Sequence, residues 1–227
     1  HFPENISDAI NAKKRFAFEN LFFLQLANFH QRLCLEKEKA YPAEIDFEEI
    51  KELLKKLPFE LTHSQKKSLL EILQDFKKSY PMNRLLQGDV GSGKTIVAIL
   101  AGLAIIKPSK LGGLEKQIAF MAPTEILAQQ HYNTFKNFFP DFNEGVGMIT
   151  SSLARIFYGD ELESIVKKNE IIKEISDGKI KIAFGTHSLI QKTVEFKHLA
   201  LVVIDEQHRF GTNQRQKLVK KGSRMPH

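Results

Sequence analysis

The stretch that decides the fold reads LLQGDVGSGKT and covers residues 85–95. Its last eight residues fit the pattern G-x-x-x-x-G-K-[ST], between an apolar run that predicts a strand and a segment that predicts a helix from Lys94. Glycines let the backbone turn tightly, so successive N–H groups point at phosphate oxygens, and the helix adds its N-terminal dipole. The stretch therefore predicts a phosphate-binding loop at the end of a strand.

Side-chain chemistry gives two residues of this loop distinct roles. We expect the Lys94 ammonium to neutralise the β- and γ-phosphates of a nucleotide, and the Thr95 hydroxyl to bind Mg²⁺. The complete predicted loop is Gly88, Asp89, Val90, Gly91, Ser92, Gly93, Lys94 and Thr95. A glycine-rich turn without a ligand is the structural alternative.

A second stretch, LVVIDEQHRFG at residues 201–211, ends an apolar run with two carboxylates. Adjacent carboxylates at the end of a buried strand are costly unless a cation or a bound nucleotide compensates them. We expect Asp205 to belong to the magnesium shell and Glu206 to orient and deprotonate an attacking water. Gln207 and His208 are expected to touch the γ-phosphate side, although His208 as a plain surface histidine remains open.

Short apolar runs alternate with amphipathic stretches between these two motifs, which predicts parallel strands and helices in an open α/β sheet. The predicted strands are NRLLQ (83–87), QIAFMA (117–122), GVGMIT (145–150), KIAFG (181–185) and LALVVID (199–205). The predicted helices begin at Lys94 and Thr124 and cover residues 160–176, and KPSKLGG (107–113) is predicted to be a surface loop.

Residues 1–57 predict a helical extension, and residues 58–227 the α/β domain. One long helix is expected over residues 7–39 with Ser7 as its N-cap, followed by a short helix that starts after Asp46 and stops at Pro58. Five phenylalanines in the long helix indicate a face that packs against something large. Cys34 lies at helical spacing among apolar residues, so core packing is favoured over a reactive thiol.

Bulk composition excludes some classes of protein but does not decide the function. The chain has 227 residues, a formal net charge of +6 and one cysteine. No apolar run reaches membrane-spanning length, no signal-peptide pattern is present, and a disulfide framework is excluded, which favours the cytoplasm. The basic balance is compatible with a polyanionic partner and equally with a solvated basic helix.

Three further motifs lie at predicted strand ends or helix starts. In PFELTHSQ (58–65), Thr62 and Gln65 have capping-box spacing, and a role for Gln65 at the edge of adenine is compatible with that. MAPTEILAQQH (121–131) and AFGTHSLI (183–190) each predict a helix N-terminus at the same edge of the sheet. Two such N-termini predict phosphate-sized donor clusters, with plain helix caps as the alternative.

Taken together, these motifs resemble the first motor domain of superfamily 2 helicases, most closely the RecG group of bacterial branched-DNA helicases. The resemblance covers nearly the whole chain and implies a RecA-like P-loop domain that uses ATP and Mg²⁺ on branched duplex DNA such as replication forks and Holliday junctions. It implies adenine recognition by Phe59, Thr62 and Gln65. It implies DNA-backbone contacts at Pro123, Thr124, Gly185, Thr186 and His187.

One position departs from the family pattern. The family commonly has Thr-Gly-Ser where this chain has Thr150-Ser151-Ser152, and serine adopts positive φ less readily than glycine. A close approach of this backbone to a phosphate is therefore in doubt. The transcription-repair coupling translocases share the architecture and are the alternative, but Gln207, Ser92 and the N-terminal flank favour RecG.

The resemblance also implies a longer machine, with a wedge domain before this segment and a second motor domain after it. In the family, the second motor domain supplies the arginines that complete the ATP site, so the segment alone is expected to bind nucleotide and turn it over slowly. Two rival classes are a nucleotide kinase and a non-enzymatic nucleotide-binding module. A kinase needs arginines in a lid, and Arg155 is the one arginine between Thr95 and Asp205.

Overall fold

The chain divides between Glu38 and Lys39 into two compact units, His1–Glu38 and Lys39–His227. The structure is a computed structural model that describes residues 3, 5–106, 114–160, 162–206, 209–211, 217–219, 221 and 224–227. The predicted loop at 107–113 lies outside these residues. Residues 39–57 belong to the larger unit, while the predicted functional boundary at Leu57 concerns the parts of a longer protein and stays a prediction.

The smaller unit is the single helix α1, Ile6–Glu36. Its N-cap is Asn5, with no side-chain cap bond, so Ser7 lies inside the first turn and its predicted capping role is wrong. No described residue of α1 is buried, and Cys34 is exposed, so the prediction of core packing for Cys34 is wrong as well. The physical reason is that a lone helix has no second layer within its unit to cover its apolar side chains.

The larger unit combines helices on a central sheet. The helices are α2 Phe47–Lys55, α3 His63–Asp75, α4 Lys94–Ile106, α5 Glu125–Phe138 and α6 Lys168–Ser176. The strands are β1 Gln117–Met121, β2 Val146–Ile149, β3 Ala154–Phe157, β4 Glu163–Ile165, β5 Ile182–Gly185 and β6 Leu199–Ile204. A 3₁₀ turn, His187–Ile190, follows β5.

The strand order is β4-β3-β2-β5-β1-β6. β2, β5, β1 and β6 are parallel to one another, while β3 pairs antiparallel with β2 and β4 antiparallel with β3 at one side of the sheet. The predicted α/β class with a mostly parallel sheet is confirmed. Because parallel strands end at the same edge, the residues that follow β1, β2, β5 and β6 lie along one edge of the sheet.

The prediction of a strand at residues 83–87 is wrong. No ladder forms there, Leu85 is 67% exposed, and Arg84 instead binds Glu71 and Asp75 of α3 at 2.7 Å each. The outer side of β6 is occupied by His227, whose N–H donates to Ala200 O at 2.8 Å and whose carbonyl accepts from the Val202 N–H at 2.9 Å. Residues 83–87 therefore have no ladder partner among the described residues.

The helix predicted over residues 160–176 is only half as long. It is confirmed over Lys168–Ser176 as α6, but Glu163–Ile165 forms β4 and pairs with β3. Gly159 and Asp160 both have positive φ, 80° and 45°, which turns the chain into this hairpin. The hairpin was missed because its strands have three and four residues, too few for a period-2 pattern to be distinctive.

Two hydrophobic clusters form the core, and β1 contributes to both. Ile118 and Phe120 belong to the cluster with α3, α4 and α5, while Ala119 and Met121 belong to the cluster with α6, as expected for side chains that alternate across a sheet. In α4, 10 of 13 residues are buried, so the phosphate-loop segment leads directly into a core helix. Among the described residues, no helix is both long and apolar enough to cross a membrane.

Candidate nucleotide site and adjoining sheet edge

Two glycines set the shape of the loop that precedes α4. Gly91 and Gly93 have φ of 80° and 79°, a conformation that glycine adopts at little cost. At Gly93 a Cβ would also lie 2.4 Å from Gln65 Nε2, so a side chain there would displace the Gln65 amide. The Ser92 N–H donates to Asp89 O at 3.1 Å, which closes the turn.

The Lys94 ammonium lies over this loop. Nζ donates to Gly88 O at 2.8 Å and to Asp89 O at 2.7 Å. Its charge is therefore held on the loop by neutral carbonyl groups, which a phosphate can replace with a stronger charge-assisted hydrogen bond. Thr95, in the first turn of α4, is half-buried beside it.

Gln65 connects the start of α3 to the loop. Its Oε1 accepts from the Thr62 N–H at 2.8 Å, and its own N–H donates to Thr62 Oγ1 at 3.3 Å, so the predicted capping box is confirmed. The other end of the amide, Nε2, donates to Ser92 O at 2.8 Å. A structural function for Gln65 is thus present, and adenine recognition stays a prediction. Phe59 is 43% exposed and packs edge-on against Phe138 with ring centroids 5.6 Å apart.

Asp205 follows β6 at the edge of the sheet. Its N–H donates to Met121 O at 2.9 Å, and its carboxylate Oδ2 lies 2.8 Å from His131 Nε2. The pKa of Asp205 lies below its usual value, mainly because of the hydrogen bond from His131. Burial acts in the opposite direction and raises the pKa, while the positive charge of Lys94 lowers it further. Asp205 is therefore ionised at neutral pH and lies within electrostatic reach of the phosphate-binding loop.

His131 was missed by sequence reasoning. It lies in the quoted stretch 121–131, seven residues after Thr124, but no role was assigned to it. A usable signal exists, because Ala128, His131, Tyr132 and Phe135 recur at three- and four-residue steps along α5 and are all buried. A polar side chain in such a stripe needs a polar partner, which here is Asp205.

Glu206 has an unusual backbone. Its φ is 53°, in the left-handed region, and its carbonyl accepts from the Arg209 N–H at 2.9 Å. Its side chain is exposed at the sheet edge next to Asp205. Gln207 and His208 lie outside the described residues.

The two predicted helix N-termini after β1 and β5 differ. Thr124 caps α5, with Oγ1 accepting from the Leu127 N–H at 3.3 Å, and is exposed beside the half-buried Pro123. After β5 a four-residue 3₁₀ helix forms with Thr186 at its N-cap, so the second predicted helix N-terminus is present, but it belongs to a single short turn and Thr186 makes no side-chain cap bond. Short 3₁₀ turns are typical connectors where the chain continues in another direction.

The accessibility of the predicted DNA-backbone residues after β5 also varies. Gly185 is buried, and a Cβ there would lie 2.4 Å from Ile149 O, so close strand packing by itself requires glycine. Thr186 is 7% exposed, whereas His187 is exposed and packs edge-on against Phe210 with ring centroids 5.3 Å apart.

A carboxylate of the chain itself binds the turn after β2. Glu125 Oε1 accepts from the N–H groups of Ser151 and Ser152 at 3.1 and 3.2 Å, and the two hydroxyls donate to the same carboxylate. Neither serine has positive φ. Ser151, which stands where the family commonly has glycine, therefore fits this turn without strain. The N–H and hydroxyl donors of the turn already bind the Glu125 carboxylate.

With this geometry established, comparison with known proteins identifies the family. A model of the DEAD/DEAH box helicases matches residues 62–227. The chain belongs to the DEAD/DEAH box helicase family. Members of this family use a nucleotide and a metal ion. The ionised carboxylate of Asp205 and the hydroxyl of Thr95 offer oxygen ligands of the kind that Mg²⁺ prefers.

The relatives also confirm the resemblance to RecG and the RecA-like helicase fold. The chain is 43% identical over 234 residues to the ATP-dependent DNA helicase RecG of Aquifex aeolicus (strain VF5), with 100% of this chain and 28% of the relative covered. Identity is 45% over 231 residues to RecG of Synechocystis sp., with 100% and 25% covered. A solved structure of RecG bound to a three-way DNA junction is similar with a TM-score of 0.75 and 42% identity, covering 93% of this chain and 27% of that one. The chain thus spans little more than a quarter of the length of the curated relatives it matches.

Proposed function

We propose that this chain is the first motor domain, with its preceding helices, of a longer ATP-dependent DNA helicase that acts on branched DNA such as replication forks and Holliday junctions. The observation that carries the proposal is the match to RecG proteins over 100% of the chain, which includes α1 as well as the helicase motifs. Residues 1–57 would link a wedge domain to the motor domain at 58–227. The relatives do not favour the transcription-repair coupling alternative, and the proposed location is the bacterial cytoplasm, because the matched RecG proteins are bacterial and the proposed substrate is DNA.

The phosphate-binding loop would bind ATP through Lys94 and the N–H groups of Gly88–Thr95. Thr95 and Asp205 would hold Mg²⁺, which neutralises charge on the phosphate oxygens. Glu206, exposed beside Asp205, would orient the attacking water and take its proton. Phe59, Thr62 and Gln65 would contact the base, and Gln207 and His208 the γ-phosphate side.

DNA would bind along the same edge of the sheet. Thr124 and His187 have exposed side chains and can reach a backbone phosphate directly. Gly185 and Thr186 are buried, so we assign to them a contribution through the main chain, and the half-buried Pro123, which has no N–H to donate, would shape the turn that presents Thr124. Main-chain and hydroxyl contacts of this kind fix the register of a nucleic acid without reading its sequence.

The test is ATP turnover by the full-length protein with a three-way junction and with a linear duplex of the same length. Turnover should be higher with the junction, and Lys94→Ala should abolish it, because the lost charge-assisted contact is worth about 1.5–3 kcal/mol in the ground state alone. Lys55→Ala, an exposed lysine of α2, is the matched control and should act like the wild type. Equal turnover on both DNAs would refute the branched-DNA assignment, and an active Lys94→Ala would refute the ATP site.

A further inference from the structure

His131 is a buried histidine to which the proposed function gives no role. Its side chain is 7% exposed, and Nε2 lies 2.8 Å from Oδ2 of Asp205, whose side chain is 30% exposed. The two residues are 74 positions apart in the chain. The contact thus joins the middle of α5 to the carboxylate at the end of β6.

The surroundings of His131 limit its movement. Its ring packs against Phe120 of β1, with centroids 5.0 Å apart and an interplanar angle of 47°. Ala128 and Phe135, one turn before and after it on α5, are both buried. A ring held between a strand and its own helix presents Nε2 in one direction, so it can fix the orientation of the carboxylate that it contacts.

We propose that His131 is a positioning residue that holds Oδ2 of Asp205 so that the carboxylate is turned toward the metal ion of the nucleotide site. The inference rests on the proposed function, since it assumes that Asp205 binds the metal. A hydrogen bond from Nε2–H uses one acceptor position of Oδ2, and a carboxylate offers about four, so others remain for the ion. Groups that orient a metal-binding carboxylate typically change metal affinity or activity by about 10–100-fold when they are removed.

A purely structural histidine predicts something different. If the contact only satisfies a buried imidazole and a half-buried carboxylate, its loss lowers the free energy of unfolding but leaves metal affinity unchanged. A positioning residue changes metal affinity even when the folded state is intact. The two possibilities therefore separate in a direct measurement of metal binding.

The experiment measures Mn²⁺ binding to the full-length protein with ADP by electron paramagnetic resonance. In His131→Phe the ring packing is kept and the hydrogen bond is lost, so Mn²⁺ affinity should fall by about 10–100-fold. In His131→Gln an N–H group can reach the same place, and affinity should return to within about threefold of the wild type. Asn133→Ala, an exposed residue of the same helix, is the matched control and should have no effect. Unchanged Mn²⁺ affinity in a folded His131→Phe overturns the inference.

A second pair of variants covers the case in which His131→Phe does not fold. His131→Gln and His131→Asn carry the same amide, but the asparagine is one carbon shorter and cannot reach Asp205 from the same backbone. Weaker Mn²⁺ binding in the asparagine variant alone supports the inference, and equal binding in both overturns it.

Asp205→Asn, measured in parallel, separates this inference from the proposed function. If Asp205→Asn leaves Mn²⁺ binding unchanged, the metal site itself is wrongly assigned and both proposals fail. If Asp205→Asn weakens Mn²⁺ binding and His131→Phe does not, the metal site stands and only the positioning role of His131 is refuted. As a second readout, the Mg²⁺ concentration for half-maximal turnover should rise in His131→Phe and recover in His131→Gln.

Discussion

Glu206 combines a strained backbone with the position of the proposed water-activating carboxylate. A non-glycine residue in the left-handed region costs about 1–2 kcal/mol, and the φ of 53° places Glu206 there. Such strain persists where the surrounding structure enforces it, and it clusters at functional sites. The strain thus supports a functional role for this residue, because a residue selected for stability alone would be one that tolerates positive φ.

Replacing Glu206 by asparagine should raise stability and remove activity. Asparagine adopts the left-handed conformation more readily, so the free energy of unfolding should rise by about 0.5–1 kcal/mol. ATP turnover of the full-length protein should fall by at least about 100-fold, because a general base contributes about 10²–10⁴ in rate. The measurements are chemical denaturation and steady-state turnover.

A matched control for that prediction is Glu195→Asn, an exposed glutamate without positive φ. Glu195→Asn should change neither the free energy of unfolding nor ATP turnover as much as Glu206→Asn does. Turnover close to wild type in Glu206→Asn would show that another group activates the water.

Gln65 should affect both stability and base selectivity, because its amide caps α3 and also binds the loop at Ser92 O, 2.8 Å away. We expect Gln65→Ala to weaken ATP binding more than GTP binding and to lower the free energy of unfolding by about 1 kcal/mol. Asp46→Ala removes the side-chain cap of α2, outside the nucleotide site, so it should reduce stability and leave the preference for ATP over GTP unchanged. If Gln65→Ala weakens the binding of ATP and of GTP equally, Gln65 acts through the helix and the loop, without recognising the base.

At the scale of single residues, sequence spacing was informative where a motif is contiguous. The sequence indicated the loop Gly88–Thr95 and the carboxylates Asp205 and Glu206 as candidate site residues. Each set lies within a few consecutive residues and follows an apolar run. His131 and Glu125 could not be predicted in this way, because their partners are 74 and 26–27 positions away and are brought to them only by the parallel arrangement of β1, β2 and β6.

Among the helices, α1 differs from the rest in that none of its described residues is buried, although it carries many large apolar side chains. Phe16, Phe18, Phe23 and Phe29 are each 58–66% exposed, and the rings of Phe18 and Phe22 stack along the helix at 6.1 Å. Apolar side chains of a helix are normally buried against another element, and each buried phenylalanine contributes about 1.5–3 kcal/mol. We therefore keep the prediction that α1 is covered in the functional protein.

The 227-residue chain should show this surface as self-association. Sedimentation velocity is expected to give a concentration-dependent dimer, which Phe18→Ser with Phe22→Ser should weaken by about tenfold or more. Arg32→Ser, an exposed polar position of the same helix, is the control and should sediment like the wild type. If hydrogen exchange shows residues 8–34 unprotected at micromolar concentration and the chain is monomeric, the prediction is wrong.

Strand predictions succeeded for the four parallel strands β1, β2, β5 and β6. β1 and β5 each lie between two strands, and both were predicted from a continuous apolar run. Residues 83–87 have only two apolar residues, Leu85 and Leu86, and no ladder partner among the described residues, whereas β4 pairs with β3 at the border of the sheet despite the exposed Ile165. Local pattern specifies which residues can be a strand, while the ladder depends on a partner elsewhere in the chain.

For the whole molecule, topology explains why motifs far apart in sequence form one site. Four parallel strands end at one edge, and the residues that follow them include Thr124, Ser151, Thr186 and Asp205. The sequence allowed this edge to be predicted from the alternation of apolar runs and helices. It did not reveal that His227 closes the outer side of β6, because that pairing is set by tertiary contacts.

His227 also connects three parts of the larger unit and should make its stability depend on pH. Its Nδ1 accepts from the Met82 N–H at 3.2 Å, and its Nε2 donates to Tyr41 O at 3.1 Å. Burial lowers the pKa of His227 below the ordinary value of 6.5. In the unfolded chain the same histidine takes up a proton at its ordinary pKa, so stability is fully present above about pH 6.5 and is lost as the pH falls toward the folded-state pKa.

The free energy of unfolding should therefore fall in two separate pH windows. The first begins at about pH 6.5, runs down toward the folded-state pKa of His227 and belongs to that residue, while the second lies below about pH 4, where carboxylates with a lowered pKa such as Asp205 and Asp75 lose their charge. Urea denaturation at pH 7.5, 5.5 and 3.5 measures both. His227→Gln, which keeps a donor and an acceptor but does not titrate, should flatten the first window and leave the second, and the exposed His63→Gln should change neither. An unchanged loss between pH 7.5 and 5.5 in His227→Gln would assign the first window to another group.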